Sequence, residues 1–217
     1  MWDGQIKVIT GIRRAGKSTL LFDLFYNYLI DNGIYKENII TLQLDKRKDA
    51  KYRNPIVLAE FVEKQIRMHT EKFYLFIDEI QFCYSVPDPD NAGFVITIYD
   101  MLNELKDYKN LDVYVTGSNS KMLSKDISTE FRGRSSQIHV YPLSFAEYND
   151  AVGGDKRDNF DRYMIYGGLP YILHLKTEEQ YKDYLLNLFS EVYKKDIVER
   201  NKIEKQNILE DVLNVLS

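Results

Sequence analysis

The sequence predicts an α/β fold: a parallel sheet wound on both faces by helices, then a smaller helical module. Short β-branched runs alternate with stretches whose apolar residues fall at helical spacing, the pattern of repeated β-α-β units. One run, Phe73-Tyr74-Leu75-Phe76-Ile77, is apolar without interruption, as a strand buried on both faces must be. The first run passes through a glycine-bearing turn straight into a helical stretch, which is how a β-α-β unit opens.

The elements follow in order. Ile6 to Thr10 is the first strand and Ser18 to Ile30 the first helix, stopped by Asp31-Asn32-Gly33. Ile39 to Leu44 is the second strand. Asp45 to Arg53 reads as a charged loop, and Pro55 to Met68 as a helix with proline in its first turn. The apolar run from Phe73 ends in Asp78-Glu79, and Tyr84 to Gly93 is a loop holding two prolines. Ile96 to Leu105 is helical, Leu111 to Thr116 is the fourth strand, and Gln137 to Val140 is the fifth. From about Asn159 the pattern is helical only, broken at Gly167-Gly168-Leu169-Pro170 and resumed from Glu178 to about Glu199. Two domains are expected, residues 1–150 and residues 151–217. The last apolar-periodic run, Ile208, Leu209, Val212, Leu213 and Leu216, meets Ser217 without a closing cap, so the helical module reads as truncated.

Composition bounds the function. With 44% hydrophobic and 29% charged residues, 5 Pro and 11 Gly in 217, the chain is neither disordered nor low-complexity. Its 29 Lys+Arg against 33 Asp+Glu give a net charge of −4, which argues against a surface basic throughout. Cys83 is the single cysteine, so no internal disulfide forms, and the chain is expected in the cytoplasm. No run is long and apolar enough for a membrane span. His69, His139 and His174 lack partners at metal-ligand spacing, which argues against a zinc site.

The most specific signal is Gly11-Ile12-Arg13-Arg14-Ala15-Gly16-Lys17-Ser18, a G-x-x-x-x-G-K-S loop between a strand and a helix. Glycines at 11 and 16 let successive N–H groups converge on a phosphate at a helix N-terminus. Lys17 supplies charge to the β- and γ-phosphates, Ser18 a hydroxyl to Mg²⁺, and Ala15 and Thr19 complete the cradle. Arg13 and Arg14 admit two readings: contact with the nucleotide or another phosphate-bearing or protein partner, or plain solvation.

Asp78 and Glu79 end a buried strand at the same sheet edge as that loop. Asp78 is the expected Mg²⁺ ligand and Glu79 the group that polarises an attacking water, with Gln81 a lesser candidate for aligning that water. After the fourth strand, Ser118 or Asn119 is placed to sense a γ-phosphate, or simply to cap a helix. Arg132 and Arg134 precede the fifth strand as candidate arginine fingers, in cis or toward an adjoining subunit, or as a surface basic turn. A guanine-specific Asn-Lys-x-Asp segment is missing; the near match, Asn201-Lys202-Ile203-Glu204, falls in the helical tail.

The strings KVITGIRRAGKSTLL (Lys7 to Leu21), YLFIDEIQ (Tyr74 to Gln81), VYVTGSNSKML (Val113 to Leu123), FRGR (Phe131 to Arg134), YPLSFAEY (Tyr141 to Tyr148) and YGGLP (Tyr166 to Pro170) resemble, in the same order, the AAA-type P-loop ATPases of bacteria and archaea that carry a C-terminal domain of unknown function. The resemblance implies an additional-strand P-loop NTPase with a parallel five-stranded sheet, followed by a helical or incomplete winged-helix-like module. It also implies a γ-phosphate sensor near Asn119, a finger near Arg132 or Arg134, and a chain amounting to the ATPase core. The expected activity is Mg²⁺-dependent ATP hydrolysis driving a conformational change. The alternatives are an ATP-bound switch that turns over slowly, with a homo-oligomer or protein partner, and a nucleic-acid-dependent ATPase using the basic loop Lys46, Arg47, Lys48, Lys51 and Arg53.

Overall fold

Five strands align in parallel, and their order sets where the loop and the acids meet. The computed structural model describes residues 1–117, 131 and 133–190. The chain divides into two compact units, Met1–Pro142 and a second that opens at Leu143.

In the first unit, β1 is Ile6–Thr10, β2 Ile39–Gln43 and β3 Phe73–Asp78. Val86–Pro87 (β4) and Val95–Ile96 (β5) pair as a small antiparallel hairpin; β4 lies in the stretch Tyr84 to Gly93 expected as a loop, and β5 takes Ile96, expected as the start of the next helix, which begins at Ile98 instead. Leu111–Thr116 is β6 and Ser135–His139 is β7. The sheet order is β2-β3-β6-β1-β7, so β6 is inserted between the strand that feeds the glycine loop and the strand that ends in the acids. This is the additional-strand arrangement.

Both sheet faces are covered. The first helix, α1, runs through Lys17–Thr19, a π-helical stretch Leu20–Phe25 and Tyr26–Asp31, and buries Leu21 and Leu29 against Ile9, Phe76 and Tyr114. On the other face α2 (Pro55–Ile66) and α3 (Ile98–Leu105) bury Leu58, Val62, Leu102 and Leu105 against Val8, Leu75, Ile77, Val113 and Val115. The segment expected as an open charged loop contains a 3₁₀ helix, Arg47–Arg53, because buried Asp49 accepts from the Gln43 amide (2.9 Å) and Tyr52 packs into the core. β7 begins two residues earlier than the apolar signal at Gln137, since a sheet-edge strand needs few buried side chains to pair with β1.

The second unit is helical from Phe145, ahead of the Asn159 at which the apolar pattern changes. It contains α4 (Phe145–Val152), α5 (Lys156–Tyr166), a 3₁₀ turn Pro170–His174 and α6 (Glu178–Leu188). Tyr148, Leu169, Ile172 and Leu188 form its core. Gly168 lies so close to the Leu143 carbonyl that a Cβ would come within 2.1 Å of the oxygen, and the Leu143 amide donates to the Gly168 carbonyl at 2.7 Å.

Candidate nucleotide-binding site

β1 ends at Thr10, and the chain then turns through Gly11 at φ 148, Arg14 at φ 64 and Gly16 at φ 99 before entering α1. Left-handed residues inside a short loop turn successive N–H groups toward one concavity. A glycine at 11 is also a steric requirement, because a Cβ there would sit 2.3 Å from the Val140 carbonyl oxygen. The Val140 amide donates in turn to the Thr10 carbonyl at 2.8 Å, so the end of β7 braces the root of the loop.

Among the described residues, α2, α3, α4, α5 and α6 are each capped by a side chain, from Asn54, Thr97, Ser144, Asp155 and Thr177. α1 instead starts from Gly16 with no side-chain cap. Its first N–H groups and its dipole are thereby left for an anion. Lys17 is 5% exposed, and its Nζ donates to the Gly11 and Ile12 carbonyls at 3.0 Å each. Burial pushes the ammonium below its ordinary pKa; Glu79 and Asp78 oppose that shift, and Arg13 adds to it.

The acids meet the loop. Ser18 Oγ donates to Asp78 Oδ2 at 2.8 Å, and Thr116 Oγ1, at the end of the inserted strand, donates to Asp78 Oδ1. Burial pushes the Asp78 carboxyl above its ordinary value, with the two hydroxyls opposing and Glu79 and Asp45 adding like charge. The Glu79 amide donates to Thr116 Oγ1 at 3.2 Å, the residue sits at φ 57, and Gln81 Nε2 donates to Glu79 Oε2.

Hydroxyl and carboxylate oxygens are hard donors suited to Mg²⁺, which typically takes one or two protein ligands and completes its shell with phosphate oxygens and water. An uncapped helix start, a buried lysine and a hydroxyl–carboxylate pair therefore suit a magnesium-bound nucleoside triphosphate.

The structure brings Gly11, Ala15, Gly16, Lys17, Ser18, Asp78 and Glu79 together. Arg13 and Arg14 are on the exposed part of the loop, and Thr19 is exposed on the first helical turn. Arg134 does not join the site of its own chain. It immediately precedes β7, its carbonyl accepting from the Ile6 amide at the start of β1, so a strand of about 16 Å separates it from the loop edge. Ser118, Asn119 and Arg132 lie outside the described residues. Of the basic segment, Arg53 is drawn inward, its Nε donating to the Leu44 carbonyl at 2.7 Å and its guanidinium packing on Phe82. Cys83 has its thiol pushed up to about 12 by burial, as suits a packing residue. Sequence reasoning missed Thr116, which at the end of an apolar strand is indistinguishable from an ordinary β-branched residue.

The sequence profile of the AAA domain matches residues 3–149. The chain belongs to the AAA domain family. An uncharacterized protein of Haemophilus influenzae is 31% identical over 98% of this chain and 51% of its own length, and one of Methanocaldococcus jannaschii is 28% identical over 98% and 46%. The chain thus spans about half the length of the curated relatives it matches. Among solved structures, a Walker-type ATPase of Pyrococcus abyssi is similar at a TM-score of 0.47 and 14% identity, over 97% of this chain and 70% of that one. No helix among the described residues of this AAA domain protein is long and apolar enough to cross a membrane.

Proposed function

We propose that this AAA domain protein binds ATP with Mg²⁺ and hydrolyses it, the nucleotide state driving a conformational change that involves the helical unit. The observation that carries the reading is the 2.8 Å contact between Ser18 Oγ and Asp78 Oδ2 beside an uncapped helix start and a buried lysine. Loop amides and Lys17 hold the phosphates, and Ser18 and Asp78 hold the metal. Bound Mg²⁺ would neutralise charge on the β- and γ-phosphate oxygens. Glu79 polarises the attacking water from the strand end next to Asp78. A finger role for Arg134 is one in trans, toward the nucleotide of a neighbouring copy, because it sits a strand's length from its own loop.

Phosphate release from ATP and ATP affinity, measured side by side, test the reading. Lys17→Ala is expected to lose ATP binding. Glu79→Gln is expected to keep ATP while turnover falls by about 10²-fold or more. Turnover at the wild-type rate in either variant overturns the assignment.

A further inference from the structure

We propose that Gln81 is the positioning residue of Glu79, its side-chain amide holding the glutamate carboxylate in the orientation in which it polarises water. The inference rests on the hydrolytic reading above and deepens it. From the sequence, Gln81 is a candidate for aligning the water itself; in the structure its amide is turned onto the carboxylate instead, Nε2 donating to Glu79 Oε2.

The backbone makes that contact reproducible. Glu79 is fixed in the left-handed region at φ 57, and its amide is held by Thr116 Oγ1 at 3.2 Å. The chain then enters a 3₁₀ turn, Ile80–Phe82, in which the Phe82 amide donates to the Glu79 carbonyl and the Cys83 amide to the Ile80 carbonyl, both at 3.0 Å. Ile80 is fully buried in the core beneath this turn. The Cα atoms of residues 79 and 81 are therefore set relative to each other by the fold. What the backbone does not set is the glutamate side chain, whose rotatable bonds let its carboxylate sweep a wide arc. The hydrogen bond from Gln81 restricts that freedom.

A neutral amide suits the task. A lysine or arginine in its place would add a formal charge beside the carboxylate, whereas glutamine orients the group through one donated hydrogen bond. An ionised carboxylate has about four acceptor sites, so an Oε2 engaged by Gln81 leaves capacity for a water.

The test is a double-mutant cycle with an isosteric arm. Gln81→Ala and Gln81→Met are each expected to lower kcat by roughly 10- to 100-fold, with the KM for ATP changed by less than about 2-fold. Because methionine fills nearly the same space but has no donor and no charge, a loss in Gln81→Met equal to that in Gln81→Ala excludes a packing role. Neither substitution is expected to lower turnover further in a Glu79→Gln background, because the interaction they remove is already spent. A readout independent of turnover is the side-chain amide resonance of Gln81 in nucleotide-free protein, which is expected to shift on Glu79→Ala. Wild-type kcat in Gln81→Met, losses that add in the double variant, or an unmoved amide resonance overturns the proposal while leaving the hydrolytic assignment standing. Wild-type turnover in Glu79→Gln alone overturns both.

Discussion

Asp78 is buried by the fold yet must be charged for the chemistry proposed for it. Its carboxyl is pushed above the usual aspartate value of 3.8, chiefly by burial. An acid whose pKa is raised on folding destabilises the folded protein once it ionises, so the penalty grows as pH rises from about 4 through the raised value and is fully present at neutral pH. Asp78→Asn is therefore expected to raise the Tm of the nucleotide-free protein at pH 7, with the difference from wild type shrinking toward pH 4, while ATP turnover is lost. An unchanged or lower Tm at pH 7 would mean that the two hydroxyls compensate the buried charge. Gly11 carries the opposite demand. Gly11→Ala combines a left-handed backbone with a Cβ 2.3 Å from the Val140 carbonyl oxygen, and is expected to cost about 2 kcal/mol or more in chemical denaturation. The convergence of Lys17, Ser18 and Asp78 was legible in the sequence because it depends on spacing along the chain and on the end of a strand. Thr116 and the aim of Gln81 were not, because they depend on a strand inserted from elsewhere and on a backbone angle that no residue type announces.

Among the elements, two with strong local signals were read correctly. β3 follows from an uninterrupted apolar run, and the start of α2 from a proline in its first turn. The hairpin β4–β5 was hidden because its prolines read as loop, although at a short edge pairing a proline need not donate to the ladder. α4 was missed although it carries a reciprocal cap: the Glu147 amide donates to Ser144 Oγ, while Glu147 Oε2 accepts from the Ser144 amide at 2.7 Å. Hydrogen bonds from the Ser144 amide and hydroxyl hold the Glu147 carboxyl below its usual value of 4.5. For a carboxyl lowered in this way the stabilisation is present above pH 4.5 and is lost as pH falls through the lowered value. Melting followed by circular dichroism is expected to show the wild type losing stability over that acid range relative to Glu147→Gln, which keeps a capping partner that does not titrate. Parallel pH profiles would remove the cap from the account of α4.

For the whole molecule, the order β2-β3-β6-β1-β7 does more than satisfy pairing. It places one strand between loop and acids, so their strands are two spacings apart, roughly 9.5 Å, and the curl of the loop closes the remaining gap to 2.8 Å at Ser18. The same parallel direction sends Arg134 to the far edge. If it acts in trans, turnover per subunit rises with protein concentration, and Arg134→Ala removes that rise while ATP affinity is unchanged; a concentration-independent rate would exclude the arrangement. The strand order itself could not be read from the sequence, since nothing in Ile6 to Thr10 says which later strands will flank it. That order also has a consequence during synthesis. β1 is translated before the other strands of the unit, but both of its neighbours, Leu111–Thr116 and Ser135–His139, are among the last of them to be made. At about 5–20 residues per second an apolar ribbon emerging from the ribosome waits roughly 5–25 s for its first partner and longer for its second. Throughout that interval Ile6, Val8 and Ile9 are available to any other unpaired strand. A premature stop before Leu111 would leave both edges of β1 without the strands that pair with them.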